Sequence, residues 1–271
     1  MHGGTVIEVS VVIAAYNAEA TIADALRSIQ NQTFSDWEII VVDDASTDRT
    51  KDFVQPFLTD PRIRLITTAM NSGAGRARNI AMAEASSALI AVMDADDISL
   101  PQRIELQVAE FKQDPELVVL SAQLAEFGLW GGPQISRWPV ALQDIEHRIQ
   151  REKMPVAHCA SMFRKERALE AGGYDEACLR AEDFALFRKL SQHKFACLDS
   201  VQLLYRTTRP IRLKYAIASG RHGRLARVRT RTWQPRANAQ VQRFPMSALT
   251  DLRSALTWAR RRRSERRREI K

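Results

Sequence analysis

The first hundred residues alternate short apolar runs with amphipathic segments, and this alternation restricts the fold more than any other feature of the chain. The apolar runs are rich in β-branched residues and nearly uninterrupted, which is typical of strands buried on both faces. They lie at residues 9–15, 38–43, 63–67 and 89–93, and segments with helical spacing lie between them at 20–32, 48–58 and 74–85. This order predicts an α/β protein with a Rossmann-like, mainly parallel central sheet flanked by helices.

Distinctive residues follow the predicted strands where a sheet of this kind binds its ligands. In open α/β sheets, ligands bind at the carboxyl ends of the strands. The ends of the first, second and fourth predicted strands carry Ala15 and Tyr16, Asp43 and Asp44, and Asp94, Ala95 and Asp96. The sequence therefore predicts that carboxylates gather at one edge of the sheet and form a binding site there.

The Asp94-Ala95-Asp96 cluster is the predicted metal site. Side chains alternate along a strand, so Asp94 and Asp96 are expected on one face, where they repel each other unless a cation binds between them. Oxygen ligands suit Mg²⁺ or Mn²⁺, which keep positions open for phosphate oxygens and water. The alternative is a solvated acidic turn in which Asp97 caps the next helix. The position of the cluster, after a buried strand and beside other carboxylates, favours the metal site.

Two further segments are predicted to contact a nucleotide. Asp43 and Asp44 can accept hydrogen bonds from a base N–H or from ribose hydroxyls, or they can serve only the loop before the next helix. Residues 71–79 form a glycine-containing loop that enters a helix, and its Arg76 and Arg78 either contact a diphosphate or remain at the surface. This loop contains neither G-x-G-x-x-G nor G-K-[ST], so a dinucleotide site and a P-loop are not indicated.

Asp183 is the candidate catalytic base. It lies with Glu182 just before a predicted helix that begins at Phe184. A carboxylate at a helix N-terminus is stabilised by the helix dipole and stays ionised, which suits a group that accepts a proton. A simple helix cap is the alternative interpretation.

Together these segments resemble the family 2 glycosyltransferases, which are nucleotide-sugar-dependent enzymes of the GT-A fold. The matching stretches are residues 9–50, 71–103 and 172–190, which contain VVDDASTD, MDADD and AEDF, respectively. They cover most of the chain between residues 9 and 190. The opening stretch and the DADD turn are the more specific ones, and AEDF falls at the family's place in the order.

The resemblance implies an inverting transfer of a sugar from a nucleotide-sugar, in the first instance a UDP-sugar, to a hydroxyl of a glycan or lipid-linked saccharide. Carried over by position, the resemblance implies that Ala15 and Tyr16 border the nucleotide base and that Asp44, with Asp43, binds the base or ribose. It implies that Asp94 and Asp96 form a DXD motif for Mn²⁺ or Mg²⁺. It also implies that Asp183 is the general base. Many relatives have a histidine where this chain has Thr207 and Thr208. If that histidine holds diphosphate or metal, its role passes elsewhere here, and His158 is a candidate.

Charge is divided unequally along the chain. Residues 203–271 contain 20 lysines and arginines against three acidic residues, whereas the preceding residues contain 20 basic and 29 acidic ones. We therefore predict a catalytic domain at residues 1–205 and an arginine-rich, helical extension at 206–271. Such a basic extension suits an anionic membrane surface. Packing on the body or on a second subunit of a homo-oligomer stays open, and nucleic acid is the least favoured partner.

The chain shows no sign of export or membrane insertion. It has no run of about 18 apolar residues and no charged region followed by an apolar stretch at its start. Its three cysteines have no metal-ligand spacing and an odd count, which favours a reducing compartment. We expect a cytoplasmic protein, with peripheral contact at the inner face of the cell membrane left open by the basic extension.

Two other function classes stay open at this point. A sugar-nucleotide nucleotidyltransferase uses a similar sheet, but such enzymes usually carry a glycine-rich basic loop after the first strand, where this chain has AAYNAEA. A non-enzymatic, basic-tailed nucleic-acid-binding or scaffold protein is the other alternative. The clustered strand-end carboxylates argue against it, because without a metal they would repel phosphate.

Overall fold

The first four strands form a parallel sheet, as predicted. The protein is described by a computed structural model that covers residues 7–209, 213–231 and 254–259. The elements of this first half are β1 Val9–Ala15, α1 Ile22–Gln30, β2 Trp37–Asp43, α2 Thr50–Val54, β3 Ile63–Thr67, α3 Ala74–Glu84 and β4 Leu89–Asp94. β1 pairs in parallel with β2 and β4, and β2 with β3. Ala15 lies opposite Asp43, and Ala14 opposite Asp94, so the carboxyl ends of three strands are level.

The second half of the sheet is mixed. Its elements are β5 Ile98–Ser99, α4 Arg103–Gln113, β6 Leu117–Gly128, β7 Gly131–Ser136, α5 Leu142–Gln150, β8 Met162–Arg164, α6 Lys165–Glu170, α7 Glu182–Lys189, β9 Lys194–Arg206 and α8 Leu213–Arg231. The strand order within the described ranges is β3-β2-β1-β4-β8-β6-β9-β5, and β7 pairs with β6. β8 is antiparallel to both β4 and β6, and β6 is parallel to β9. The α/β prediction is confirmed, but the parallel order ends at β4 because β8 enters in the opposite direction.

Both faces of the sheet are buried, which explains the nearly continuous apolar runs of its strands. On β1, Val9, Val11 and Ile13 belong to one core cluster, and Val12 belongs to the cluster on the other face. α1 covers the first face, and α3 covers the second. A shift of β1 by one residue would exchange the two faces, so this packing fixes where the strand ends lie.

The basic region begins with a helix that packs on the body. β9 ends where the composition changes, and α8 then lies against α7, with Ala226 buried beside Phe184. Arg229 of α8 forms an ion pair with Asp175. The two terminal arginine clusters, at 260–263 and 266–268, lie outside the described residues. No helix in the described ranges is long and apolar enough to span a membrane.

Candidate active site

A cavity of about 810 Å³ opens at the carboxyl ends of the first-half strands. Ala15 and Tyr16 line it from the end of β1, Asp44 from the loop after β2, and Asp94 from the end of β4. Asp183 reaches the same cavity from α7. The structure therefore brings together residues that are far apart in sequence. Of the other predicted site residues, Arg78 lines the cavity, whereas Asp43, Arg76, Ala95 and Asp96 do not.

Arg78 connects the strand-end carboxylates with α7. Its guanidinium donates hydrogen bonds to Asp94 Oδ1 at 2.6 Å and to Glu182 Oε1 at 2.9 Å, and its side chain is 7% exposed. Burial opposes the charge of this group, but the two carboxylates outweigh that effect and raise its pKa. Because Arg78 lies on α3 and Glu182 on α7, the contact fixes the position of the neighbouring Asp183 relative to Asp94.

The acidic cluster forms a turn just beyond β4. The strand ends at Asp94, and the Asp97 N–H donates to the Asp94 carbonyl at 3.3 Å. Strand alternation therefore does not extend to Asp96, because β4 ends at Asp94 and the backbone turns after it. The two carboxylates still interact: burial, together with the charge of Asp94, raises the pKa of Asp96 to about 6.

Arg206, to which the sequence motifs give no role, holds this turn in place. Its backbone N–H donates to Asp97 Oδ1 and its Nε donates to the Asp96 carbonyl, both at 2.8 Å. Asp97 Oδ2 is buried and has no partner in the described part of the chain. Burial and the neighbouring carboxylates raise the pKa of Asp97. The contact joins the end of β9 to the acidic turn, and no motif in the sequence indicates it.

Asp43 and Asp44 lie in different environments. Asp43 is fully buried, and its Oδ1 has no partner among the described residues. Asp44 lines the cavity, and its carboxylate accepts the backbone N–H groups of Ser72 at 3.0 Å and Gly73 at 2.7 Å. Asp44 therefore also fixes the loop that enters α3. Gly73 has a φ of 92°, which favours glycine at this turn.

The two arginines of α3 lie on different sides of the helix. Residues two positions apart do not face the same way on a helix. Arg78 points inward to the carboxylates, whereas Arg76 is exposed and does not line the cavity. The sequence predicts the same alternatives for both arginines, and the structure places Arg78 at the cavity and Arg76 at the surface.

Asp183 lies in the first turn of α7. Its Oδ1 accepts the backbone N–H of Phe184 at 2.6 Å. Burial, together with the charge of Glu182, raises the pKa of Asp183 to about 6. At pH 7 such a carboxylate is mostly ionised yet basic enough to take a proton, which is the balance that general-base catalysis requires.

His158 is a packed histidine at the wall of the cavity. Its Nε2 forms a hydrogen bond with the Tyr174 hydroxyl at 2.8 Å. Its ring also contacts Phe187, with 5.4 Å between the ring centroids. Burial lowers the pKa of His158 well below its usual value, so the imidazole stays neutral. This geometry favours a structural role for His158 over a contact with diphosphate.

Other parts of the cavity wall come from segments in which the sequence shows no site motif. They include Glu126 on β6, Trp138 after β7, Tyr205 on β9, and Tyr215 and His222 on α8. The β6–β7 region has no clear periodicity, and α8 belongs to a region whose composition indicates an extension. Neither segment carries a local pattern that indicates a site.

A family model and relatives of known class match much of the chain. The family model described as "Glycosyl transferase family 2" matches residues 10–173. The amylovoran biosynthesis glycosyltransferase AmsE of Erwinia amylovora is 31% identical over 202 residues, which is 73% of this chain and 75% of AmsE. WfgD of Escherichia coli, a UDP-Glc:alpha-D-GlcNAc-diphosphoundecaprenol beta-1,3-glucosyltransferase, is 42% identical over 101 residues, which is 37% of this chain and 40% of WfgD.

Solved structures share the fold. S. aureus TarS 1–349 in complex with UDP has a TM-score of 0.63 at 20% identity, over 95% of this chain and 72% of that chain. The mannosyltransferase PcManGT from Pyrobaculum calidifontis, in complex with GDP-Man and Mn²⁺, has a TM-score of 0.63 at 20% identity, over 82% of this chain and 64% of that chain. These findings set aside the nucleotidyltransferase and non-enzymatic alternatives. Because the family model spans more than half of the chain and AmsE is similar over most of its length, this GT-A-fold protein is a glycosyltransferase that belongs to glycosyl transferase family 2.

Proposed function

We propose that this glycosyltransferase moves a sugar from a UDP-sugar to a hydroxyl of a glycan or lipid-linked saccharide, with inversion at the anomeric carbon. The observation that supports it most is that one cavity contains both Asp94, at the end of β4, and Asp183, on α7. Arg78 connects the two elements, because it donates hydrogen bonds to Asp94 and to Glu182, the residue next to Asp183. In this proposal Asp94 helps to bind the diphosphate that leaves, and Asp183 removes the proton from the acceptor hydroxyl.

The nucleotide binds across the ends of β1 and β2 in this proposal. Tyr16 is 49% exposed beside the cavity, and its ring is free to stack on a base, while the small Ala15 leaves room for it. Asp44 lines the cavity, and its carboxylate accepts hydrogen bonds from three groups of its own chain, one of which, the Ser72 N–H, contacts both oxygens. In this proposal the same carboxylate also accepts a base N–H or a ribose hydroxyl, with the buried Asp43 next to it. The complex of TarS with UDP supports a uridine donor.

In this proposal Asp94, which lines the cavity, and Asp96, which lies in the turn beyond it and does not line the cavity, would hold Mn²⁺ or Mg²⁺ beside the donor diphosphate. The donor atoms fit, since carboxylate oxygens suit these ions and a cation would offset the repulsion from Asp94 that, after burial, raises the pKa of Asp96. No group of three His, Cys, Asp or Glu residues in the described ranges is arranged to hold a metal alone, so a bound ion would need further oxygen ligands from the substrate or from water. The bound ion would neutralise charge on the departing diphosphate. The PcManGT complex with Mn²⁺ supports this use.

Asp183 removes the proton from the acceptor hydroxyl. The hydroxyl oxygen then forms its bond to the anomeric carbon on the face opposite the diphosphate, as the bond to the diphosphate breaks. This single displacement inverts the configuration through an oxocarbenium-like transition state. Arg78 occupies Glu182 Oε1, so Glu182 positions α7 while Asp183 is the carboxylate left to act as the base.

The relatives support an acceptor in polysaccharide biosynthesis. WfgD acts on a GlcNAc-diphosphoundecaprenol, and AmsE belongs to amylovoran biosynthesis. A lipid-linked acceptor lies at a membrane, and each basic residue near an anionic surface contributes about 1 kcal/mol of binding. The arginine-rich C-terminal region is therefore proposed to hold the enzyme peripherally at the inner face of the cell membrane.

A panel of nucleotide-sugars tests the proposed reaction. Each donor is incubated with Mn²⁺, with Mg²⁺ or with EDTA, and hydrolysis and transfer to diphospholipid-linked sugars are followed. We expect turnover of a UDP-sugar that depends on the metal, and a product whose anomeric configuration, read by NMR, is opposite to that of the donor. Retention of configuration, or turnover that is unchanged by EDTA, would contradict the proposal.

A further inference from the structure

The start of the basic region packs on the helix that carries the proposed base. One face of α8 meets α7 and the segment that leads into it, residues 175–181. The residues of α8 that make these contacts include Ala226, Arg229 and Thr230. They are three and four positions apart, so they lie on one face of the helix. α8 is therefore a packed element on this face, although its composition indicates an extension.

Ala226 packs against the residues on both sides of Asp183. It is fully buried, and the other buried members of its apolar cluster are Cys178, Ala181, Phe184 and Ala185. The guanidinium of Arg227, the next residue of α8, lies 5.0 Å from the centroid of the Phe184 ring. Because its neighbours on both sides are held by α8, Asp183 would move with any shift of that helix.

Arg229 anchors the segment that precedes α7. Its Nε donates a hydrogen bond to Asp175 Oδ2, and the two side chains are only 19% and 12% exposed. The other oxygen of Asp175 accepts the Ala177 N–H at 3.1 Å. Hydrogen bonds between charged groups are the stronger ones in proteins. One carboxylate thus fixes the turn of its own segment and attaches that segment to α8.

Further contacts hold the other end of α7. Arg188 donates from Nε to Thr230 Oγ1 at 2.7 Å. Its Nη2 lies 3.1 Å from Glu152 Oε1, and Arg227 Nε lies 3.5 Å from Oε2 of the same carboxylate. α7 has eight residues, and isolated helices shorter than about 12 residues are marginal in water. Its position therefore depends on contacts of this kind.

We propose that α8 positions the general base, with Arg229 as the main positioning residue. The inference rests on the proposed function, in which Asp183 takes the acceptor proton. Arg229 acts through Asp175, and Ala226 acts through the neighbours of Asp183, so neither has to contact a substrate. A misplacement of about 1 Å in a reacting group can reduce its rate by about 10²-fold. The start of the basic region is in this way a working part of the catalytic domain.

The test uses conservative substitutions in the full chain. Arg229→Met removes the charge and keeps most of the side-chain length, and Arg229→Lys keeps a cation. Thr230→Val replaces the hydroxyl that Arg188 contacts by a methyl group of similar size. The matched control is Arg231→Met, because Arg231 is exposed at the end of α8. Thermal unfolding of each variant gives its melting temperature, and kinetics are measured well below it.

Turnover and donor binding are measured separately. Transfer assays give kcat, and calorimetry with UDP and Mn²⁺ gives the dissociation constant and the number of binding sites per chain. We expect Arg229→Met to lower kcat roughly tenfold or more, and Thr230→Val to lower it in the same direction, with UDP binding as in wild type. Arg229→Lys should recover most of the loss. A fall in binding sites that matches the fall in kcat would indicate lost folded protein and would overturn the inference.

The double variant of Arg229→Met with Asp183→Asn tests whether α8 acts through the base. If it does, Arg229→Met should leave the residual kcat of Asp183→Asn unchanged, because effects that pass through one group are not additive. An equal fold-loss with and without Asp183 overturns the inference, and so does wild-type kcat in both Arg229→Met and Thr230→Val. If wild type transfers no sugar, or Asp183→Asn keeps full turnover, the proposed function fails first and this inference fails with it.

Discussion

The site residues of the first half of the sheet lie where their strands end, whereas those of the second half are brought in by contacts between distant segments. Ala15 and Asp43 are direct neighbours in the ladder of β1 and β2, so the burial of those strands already fixes them. Asp183 depends instead on the contact between Arg78 and Glu182, which are 104 residues apart. The first half thus offers a rigid platform, and the position of the proposed base rests on a few long-range contacts.

Asp44 of the first region and Asp183 of the second both line the cavity but lie in different surroundings. Asp44 accepts backbone N–H groups and stabilises its own loop. Asp183 is crowded by Glu182 and buried, and its pKa is raised to about 6. The hydrogen bonds of Asp44 suit a binding role, and the buried, cavity-lining position and raised pKa of Asp183 suit proton transfer. The comparison therefore predicts that substitutions in the first region affect donor affinity and those in the second affect turnover.

The largest effect is expected for Asp183→Asn. The amide keeps the size of the side chain and removes the base, so kcat should fall roughly 10²- to 10⁴-fold. The dissociation constant for UDP should change little. Steady-state transfer kinetics together with UDP calorimetry measure both quantities. Glu182→Gln is the matched comparison: if it abolishes turnover while Asp183→Asn does not, the assignment of the base is reversed.

Arg78→Met tests the contact that joins the two regions. It leaves Asp94 and Glu182, with side chains 27% and 12% exposed, facing each other without their shared counter-ion. Removing one partner of a largely buried ion pair lowers the free energy of unfolding by about 3–5 kcal/mol. Urea denaturation measures this loss. Arg76→Met, on the exposed side of the same helix, should stay within about 0.5 kcal/mol of wild type. Equal losses in the two variants would show that the Arg78 contact has no special role.

Asp96→Ala tests the donor side of the comparison. With one carboxylate of the proposed metal pair removed, affinity for UDP in the presence of Mn²⁺ should fall roughly 100-fold. The dependence of UDP binding on Mn²⁺ should fall with it. Asp52→Ala is the control, because Asp52 is exposed on α2 and its ion pair with Arg49 is at the surface. Unchanged metal-dependent binding in Asp96→Ala would remove this residue from the proposed site.

The contrast between the regions also explains how much of the site the amino-acid sequence can predict. Strand ends follow from periodicity, so the sequence alone predicts that Tyr16, Asp44 and Asp94 lie at one edge of the sheet. Strand alternation fails for Asp96, because the backbone turns directly after Asp94. Helix geometry could have separated Arg78 from Arg76, since only one of two residues at this spacing faces a given direction.

The second region can be predicted only in part. The AEDF segment can be recognised from its place after the other motifs of the family. Nothing in its four residues, however, indicates that Arg78 bonds Glu182 rather than Asp183. The contacts of Arg206 with the acidic turn and the presence of α8 residues at the cavity wall depend on where β9 and α8 lie in space. The charge composition predicts that α8 belongs to an extension, yet the structure shows one of its faces packed against α7. Long-range packing of this kind leaves no short-range pattern in a sequence.

The pH dependence of turnover gives the smallest expected effect and the most direct measure of the second region. A raised pKa means that the basic form of Asp183 is lost as the pH falls through about 6, rather than near the ordinary value for an aspartate. With donor and Mn²⁺ saturating, kcat/KM for the acceptor should therefore fall roughly tenfold between pH 7 and pH 5. The residual activity of Asp183→Asn should lack this inflection. An inflection near pH 4 in the wild-type profile would contradict the expectation, because it would mean that burial does not raise the pKa of Asp183.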